Sequence, residues 1–98
     1  MSKDPRQDGR ARRQNAVALA YTAGEPAPTV IAKGQDLIAL RIRELAAEHG
    51  VPVVPDPPLA RALHASVDIG RQIPEELFHG VAQVLAFVYR NAAHRRAA

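Results

Sequence analysis

Eight prolines and six glycines divide this 98-residue chain into short apolar segments, and their positions limit its fold more than any other feature. Glycine and proline interrupt regular pairing, so each segment between them can form only a short strand or helix. A chain of this length makes one domain, and 47% hydrophobic residues suffice for one core. We therefore expect a single small domain without a transmembrane segment, because no apolar run approaches the roughly 20 residues that a membrane span needs.

Two apolar segments near the N-terminus predict a β-hairpin. Residues 16–21 are apolar and end in turn-forming residues, and residues 29–32 are rich in β-branched side chains. The link between them contains Gly24, Pro26 and Pro28, which mark a loop. Because this link is short, antiparallel pairing is the simplest arrangement.

The next two segments predict a helix over 35–49 and a third strand over 51–54. Gly50 stands where a glycine ends a helix, because it adopts positive φ without a Cβ penalty. A strand, a helix and a second strand form a βαβ unit, which should be right-handed with parallel strands. The spaced apolar positions of the helix share one face: Ile38, Ile42, Leu45 and His49.

Start signals predict two further helices. Asp56 can cap a helix over about 57–64, with proline at its first position. Pro74 and two glutamates open a last helix, which runs to residue 90 or 91. Within residues 65–73, Val67 and Ile69 flank Asp68 and could form a short extended piece. The expected fold class is α/β: a small mixed β-sheet, made of the hairpin and the right-handed βαβ unit, flanked by about three to four helices.

The last helix has a wider apolar surface than a helix lying on a sheet requires, which is a face about 100° wide. Two interpretations stay open: the helix is buried on two sides, or part of its surface binds a partner. The first of its two apolar stripes contains Leu77, Val81, Val84, Leu85 and Val88, and the second contains Phe78, Ala82, Leu85 and Tyr89.

Basic charge lies at the two ends of the chain. Residues 1–13 carry five Lys or Arg against two Asp, residues 91–98 carry two Arg, and residues 14–90 carry six basic against eight acidic groups. We expect a disordered basic arm over 1–14, a folded α/β domain over 15–91 and a basic C-terminal tail over 92–98. A nucleic-acid partner is not expected, since the folded part lacks a basic stripe. An arm that contacts anionic lipid heads or RNA is the alternative.

No residue pattern predicts an enzyme, a cofactor or a metal site. The chain has no cysteine, and its four histidines lack the spacing that places two ligands on one helical face. Secretory signals are also absent, which fits a cytoplasmic protein. The exception is Lys33-Gly34, which precedes a helix start and could hold an anion there. A small anion- or phosphate-binding or enzymatic α/β domain is therefore the alternative function.

Several short strings occur in the order found in one protein family. They include AVAL at 16–19, VIAKG at 30–34, ALRIRE at 39–44, EHGVPV at 48–53 and PPLARAL at 57–63. Over roughly residues 15–90 the chain resembles the cytoplasmic C-terminal domain of the FlhB/YscU family (EscU, SpaS, HrcU) of flagellar and type III secretion export switch proteins. The resemblance implies an FlhB-like domain supplied as a stand-alone polypeptide.

The resemblance also identifies a difference. Family members carry an Asn-Pro-Thr-His motif before the first strand and cleave themselves between its Asn and Pro. The corresponding positions here are Ala11, Arg12, Arg13 and Gln14, so we predict no autocleavage.

The function implied by the resemblance is protein export. The domain would dock export-gate proteins, export substrates or a full-length or truncated FlhB-type membrane protein, and would influence the switch from rod-and-hook to filament substrates. Its expected place is the cytoplasm, with a peripheral position at the inner membrane face as a variant. Family positions carried onto this chain give a hydrophobic protein-binding patch of Ala27, Pro28, Ala82 and Leu85.

Overall fold

The structure is a computed structural model that describes residues 13–97, with side chains described through residue 91. The predicted basic arm lies almost wholly outside the described residues, as do the side chains of the predicted C-terminal tail. The elements in chain order are β1 (Asn15–Ala20), β2 (Thr29–Gln35), α1 (Leu37–Glu48), α2 (Pro57–Ser66), a 3-10 turn (Glu75–Leu77) and α3 (Phe78–Ala97). The predicted α/β class is confirmed.

The predicted hairpin is also confirmed. β1 and β2 pair antiparallel from Asn15 opposite Gln35 to Ala20 opposite Thr29, with an irregularity after Ala18. In the connecting loop Gly24 has φ of 96°, a left-handed conformation that glycine adopts without strain. β2 continues to Gln35, past the end that the sequence predicts for it.

The expected third strand and the βαβ unit are wrong. Within residues 13–97 the sheet has two strands, and residues 51–54 are not paired with them. Val51 and Val53 are more than half exposed, and Pro52 has no N–H to donate to a ladder. These side chains gain little burial from the position, so the segment runs as a loop.

Another segment meets the free edge of β2. The N–H of Val30 donates to the carbonyl oxygen of Arg71 at 2.9 Å, and the N–H of Gly70 donates to the Val30 carbonyl at 2.7 Å. Thr29 also forms an isolated antiparallel bridge with Gln72. The short extended piece that the sequence suggested at Val67 and Ile69 does not pair with the sheet; residues 70–72, which follow it, cover the edge that a third strand would have paired.

The C-terminal end of α1 follows the glycine prediction. Gly50 has φ of 70° and donates its N–H to the carbonyl of Ala47 at 3.3 Å, while Val51 donates to Ala46 at 2.8 Å. These are the two bonds of a Schellman motif, which satisfies carbonyls that the helix end leaves free.

The predicted apolar face of α1 is buried only in part. Ile42 is half-buried, whereas Ile38 and Leu45 are exposed, and the residue that α1 buries completely is Ala39. A small side chain lets the helix approach β2 closely. The same close approach explains Gly34, because a Cβ built on it would lie 2.7 Å from the Ile38 Cβ.

The core joins the hairpin, α2 and α3. α2 starts as predicted: Pro57 follows Asp56, whose carboxylate accepts the N–H of Leu59 at 3.2 Å. The last helix differs, since Pro74 precedes a 3-10 turn and α3 extends to Ala97. The buried core residues are Ala27, Val30, Leu63, Val67, Ile73 and Val81, with Val17, Leu19, Leu59, Leu77 and Leu85 packed against them.

Among the residues that the structure describes, no helix is both long and apolar enough to cross a membrane.

Candidate functional site

An open apolar cleft lies between the hairpin loop and α3. Its volume is about 160 Å³. The four residues of the predicted patch all line it, although they come from two segments more than fifty positions apart. We call this site the α3 cleft; its lining consists of Tyr21, Pro26, Ala27, Pro28, Ile73, Phe78, Val81, Ala82 and Leu85.

The lining residues divide into a buried floor and an exposed wall. Ala27 and Pro28 are buried, as are Ile73 and Val81, so they form the floor. Ala82 is exposed on the wall that α3 provides, and Leu85, one turn further, is half-buried and packs against the core. The floor therefore belongs to the folded core, and the wall is accessible to a partner.

Hydrogen bonds hold the loop side of the cleft in place. The N–H of Ile73 donates to the carbonyl of Pro28 at 3.0 Å, and the side-chain amide of Gln72 donates to the carbonyl of Ala27 at 3.4 Å. The segment that carries both donors leads through Pro74 and the 3-10 turn into α3. The loop and the helix are thus linked through one short stretch of backbone, which makes the cleft a preformed feature.

Two exposed aromatic rings stand at the rim, Tyr21 from the loop and Phe78 from α3. Sequence reasoning assigned neither to the site, and it also missed Pro26, Ile73 and Val81. A signal existed for Phe78, which lies one turn before Ala82 on the second apolar stripe. Tyr21 and Ile73 gave no comparable signal, because their place depends on how distant segments pack.

The surplus apolar surface of α3 now has an explanation. Val81 and Leu85 of the first stripe pack inward, as does Leu77 in the 3-10 turn before α3, whereas Phe78 and Tyr89 of the second stripe are exposed. Of the two interpretations, accessible apolar surface fits the described residues better than burial on two sides.

Lys33 was the candidate anion ligand in the alternative function, but in the structure its ammonium group is bonded within the fold. Its Nζ donates to the carbonyl oxygens of His64 and Val67, both at 2.9 Å, and lies 4.0 Å from a carboxylate oxygen of Asp68. The side chain is largely buried. Lys33 therefore caps the C-terminal end of α2, and its ammonium does not face the start of α1.

We expect Lys33→Met to lower the free energy of unfolding by about 1–3 kcal/mol, since two charge-assisted hydrogen bonds are lost at partly buried carbonyls. Chemical denaturation measures this change. Arg41→Met is the matched control: among the described residues Arg41 forms exposed ion pairs with Glu44 and Glu48 and nothing buried, so its loss should change little. A phosphate-dependent rise in melting temperature that vanishes in Lys33→Ala would instead support the anion-binding alternative.

The structure describes two of the four positions that correspond to the family cleavage motif. Ala11 and Arg12 lie outside the described residues, and Arg13 and Gln14 lead into β1. Asn15, the first residue of β1, has its side-chain amide engaged on both sides. Its Nδ2 donates to the Arg13 carbonyl at 3.3 Å, and its Oδ1 accepts from Gln35 at 3.0 Å. An asparagine held in this way is poorly placed to attack its own carbonyl.

The purified chain is expected to keep a single intact mass over days at neutral pH, as measured by mass spectrometry. A stable break between residues 11 and 15 would contradict the predicted loss of cleavage. A variant that restores the motif, with Ala11→Asn, Arg12→Pro, Arg13→Thr and Gln14→His, serves as the positive control.

Comparisons with known proteins agree on one family. The sequence model described as the FlhB HrpN YscU SpaS Family matches residues 13–88. The flagellar biosynthetic protein FlhB of Salmonella typhimurium is 55% identical over 76 residues, which cover 76% of this chain and 20% of that protein. The hypersensitivity response secretion protein HrcU of Ralstonia nicotianae is 51% identical over 74 residues, covering 74% of this chain and 20% of that protein. The chain thus spans about a fifth of the length of these curated relatives.

Solved structures show the same relationship. The cytoplasmic domain of FlhB from Shewanella putrefaciens aligns with a TM-score of 0.79 at 44% identity, covering 85% of this chain and 69% of that one. The PscU C-terminal domain aligns with a TM-score of 0.73 at 39% identity, covering 76% of this chain and 95% of that one. The backbone of the hairpin and helices is therefore similar to these domains.

Proposed function

We propose a docking function for this chain, from the premise that it belongs to the FlhB HrpN YscU SpaS family of flagellar and type III export components. In this proposal the α3 cleft binds other export components, either secreted subunits or proteins of the export gate. The domain works without catalysis on the cytoplasmic side and influences which substrates are exported.

The observation that carries the proposal is the open, apolar α3 cleft. Apolar side chains line a volume of about 160 Å³, which is close to the size of cavities that accept a benzene ring. One aromatic or branched aliphatic side chain of a partner would fill it. Because the floor is part of the core, little ordering would accompany binding, and this favours affinity.

The size and chemistry of the cleft argue against a metabolite or a cofactor as the ligand. Pockets for such molecules are typically roughly 300–1,000 Å³ and include several convergent polar groups. Of the nine lining residues, only Tyr21 has a titratable side chain. Lys33, the candidate anion ligand, is bonded to the end of α2. A protein side chain is therefore the ligand that suits the cleft best.

Titration calorimetry tests the proposal by adding purified rod, hook and filament subunits to the chain. Burial of an apolar side chain predicts a negative heat-capacity change on binding. A role in substrate switching predicts different affinities for rod or hook subunits and for filament subunits. Absence of binding to every subunit and to the cytoplasmic parts of the export gate would refute the docking function.

A further inference from the structure

The rim of the α3 cleft is acidic, although the whole chain carries a net charge of +3. The lining residues come from two stretches of the chain, residues 21–28 and 73–85. These stretches contain no lysine or arginine, but they contain three glutamates, Glu25, Glu75 and Glu76. All three glutamates are exposed, and none forms an ion pair with another described residue. Even if Arg71, which precedes the second stretch, is included, carboxylates outnumber basic groups around the cleft.

The backbone that carries these carboxylates is fixed on both sides of the cleft. Glu25 ends a turn in which Gly24 has φ of 96° and the Glu25 N–H donates to the carbonyl of Thr22 at 3.0 Å. On the other side, the N–H of Leu77 donates to the Pro74 carbonyl at 3.0 Å and closes the 3-10 turn that contains the other two glutamates. Each carboxylate therefore lies within roughly 10 Å of a lining residue, which is about the Debye length at 0.1 M salt.

Two exposed aromatic rings at the same rim also favour a cation. Tyr21 is 39% exposed and Phe78 is 40% exposed. The face of an aromatic ring attracts a lysine or arginine side chain that lies within about 6 Å of the ring centre. A phosphate group or an acidic peptide would be repelled by the carboxylates and would gain nothing from the rings. The carboxylates and the rings are thus two separate features that select the same kind of group.

We infer that the partner segment bound in the α3 cleft carries lysine or arginine close to its apolar anchor side chain. This inference rests on the proposed docking function and adds the charge of the partner to it. The anchor fills the apolar cleft, and the flanking cations lie over the carboxylates and rings of the rim. Charges at the rim of an interface mainly raise the association rate and select among partners. The cleft would then distinguish export components by the charge beside the anchor as well as by the anchor itself.

Glu25 is the position that separates this role from a structural one. Glu75 and Glu76 also favour the start of α3, because carboxylates are stabilised near the positive end of a helix. Glu25 lies in the hairpin loop and starts no helix. Replacing Glu25 therefore changes the charge of the rim without changing the stability of α3.

Three synthetic peptides test the inference by titration into the isotope-labelled chain, with NMR at the backbone amides of Ala82 and Leu85. Each peptide carries one phenylalanine in a glycine-serine background, and the residues beside the phenylalanine are lysine, glutamine or glutamate. The lysine peptide should bind about tenfold more tightly than the glutamine peptide at about 0.1 M salt, and this advantage should largely vanish at about 1 M. A lysine peptide with glycine in place of phenylalanine should not shift these amides, since charge alone does not fill the cleft.

Glu25→Lys should weaken binding of the lysine peptide by at least about threefold and leave the melting temperature unchanged. Glu48→Lys is the matched control, because it makes the same charge change on α1, where Glu48 forms an exposed ion pair with Arg41. The control should bind the lysine peptide nearly as wild type does. Equal affinities for the lysine and glutamine peptides, or equal losses in the two variants, would overturn the inference and leave the docking function in place. If no peptide shifts the amides, the cleft accepts no anchor, and the docking function fails together with the inference.

Discussion

Replacing Ala82 with glutamate is expected to abolish binding of an export subunit while leaving the fold intact. Ala82 is exposed on the wall of the α3 cleft, so the free chain can keep the new carboxylate in water. A partner side chain in the cleft would force that carboxylate out of water beside apolar groups, without a hydrogen-bond partner. We expect at least about a hundredfold loss of affinity, which corresponds to about 2.8 kcal/mol.

Calorimetry with a subunit that binds wild type measures this loss. Ala86→Glu is the matched control, because it places the same charge on an exposed position of the same helix, one turn beyond Ala82 and outside the lining. The control should keep wild-type affinity. Leu85→Lys should also prevent binding, with some loss of stability since Leu85 packs against the core. If Ala82→Glu binds as tightly as wild type, the cleft has no part in docking.

The features that sequence predicted correctly are those that neighbouring residues decide. Asp56 caps α2 through the N–H of Leu59, three positions away, and Gly50 and Val51 end α1 by donating to carbonyls three and five positions before them. The hairpin depends on one short loop between two β-branched or apolar runs. Each signal needs only a few consecutive residues, so it is readable without the tertiary structure.

The errors concern contacts between distant segments. Residues 51–54 have strand-like composition, but the edge of β2 is covered by residues 70–73 instead. On α1, helical periodicity favoured the large side chains Ile38 and Leu45, whereas packing against β2 selected Ala39. Periodicity shows which residues share a face, but it does not show which face the core accepts.

One part of the α3 cleft follows from local sequence patterns, and another part depends on contacts between distant segments. Ala82 and Leu85 lie on a helical stripe that the sequence displays, and the resemblance to a family added Ala27 and Pro28. Ile73 reaches the floor because its N–H bonds the Pro28 carbonyl, a contact across 45 positions that no local pattern encodes. The predicted patch is therefore the part of the α3 cleft that local sequence patterns and the family resemblance can identify.

Val30→Asp is expected to prevent folding at 25 °C. Val30 is fully buried in the core, and its own backbone holds the segment 70–73 against β2. An unpaired carboxylate at this position costs several kcal/mol in desolvation, and the valine contacts are lost in addition. The free energy of unfolding of a small domain is only about 5–15 kcal/mol, so this change removes most or all of that stability. Far-UV circular dichroism with a thermal melt should show no cooperative transition.

Ile31→Asp is the control for this prediction, because it makes the same chemical change one residue further along the same strand. Successive side chains of a strand point to opposite faces, and Ile31 is 55% exposed. Its carboxylate stays in water, so the melt should remain cooperative, with a loss of about 1 kcal/mol or less from strand propensity. Equal melting of the two variants would mean that β2 does not present Val30 to the core, and the floor of the α3 cleft, which rests on that core, would be wrong as well.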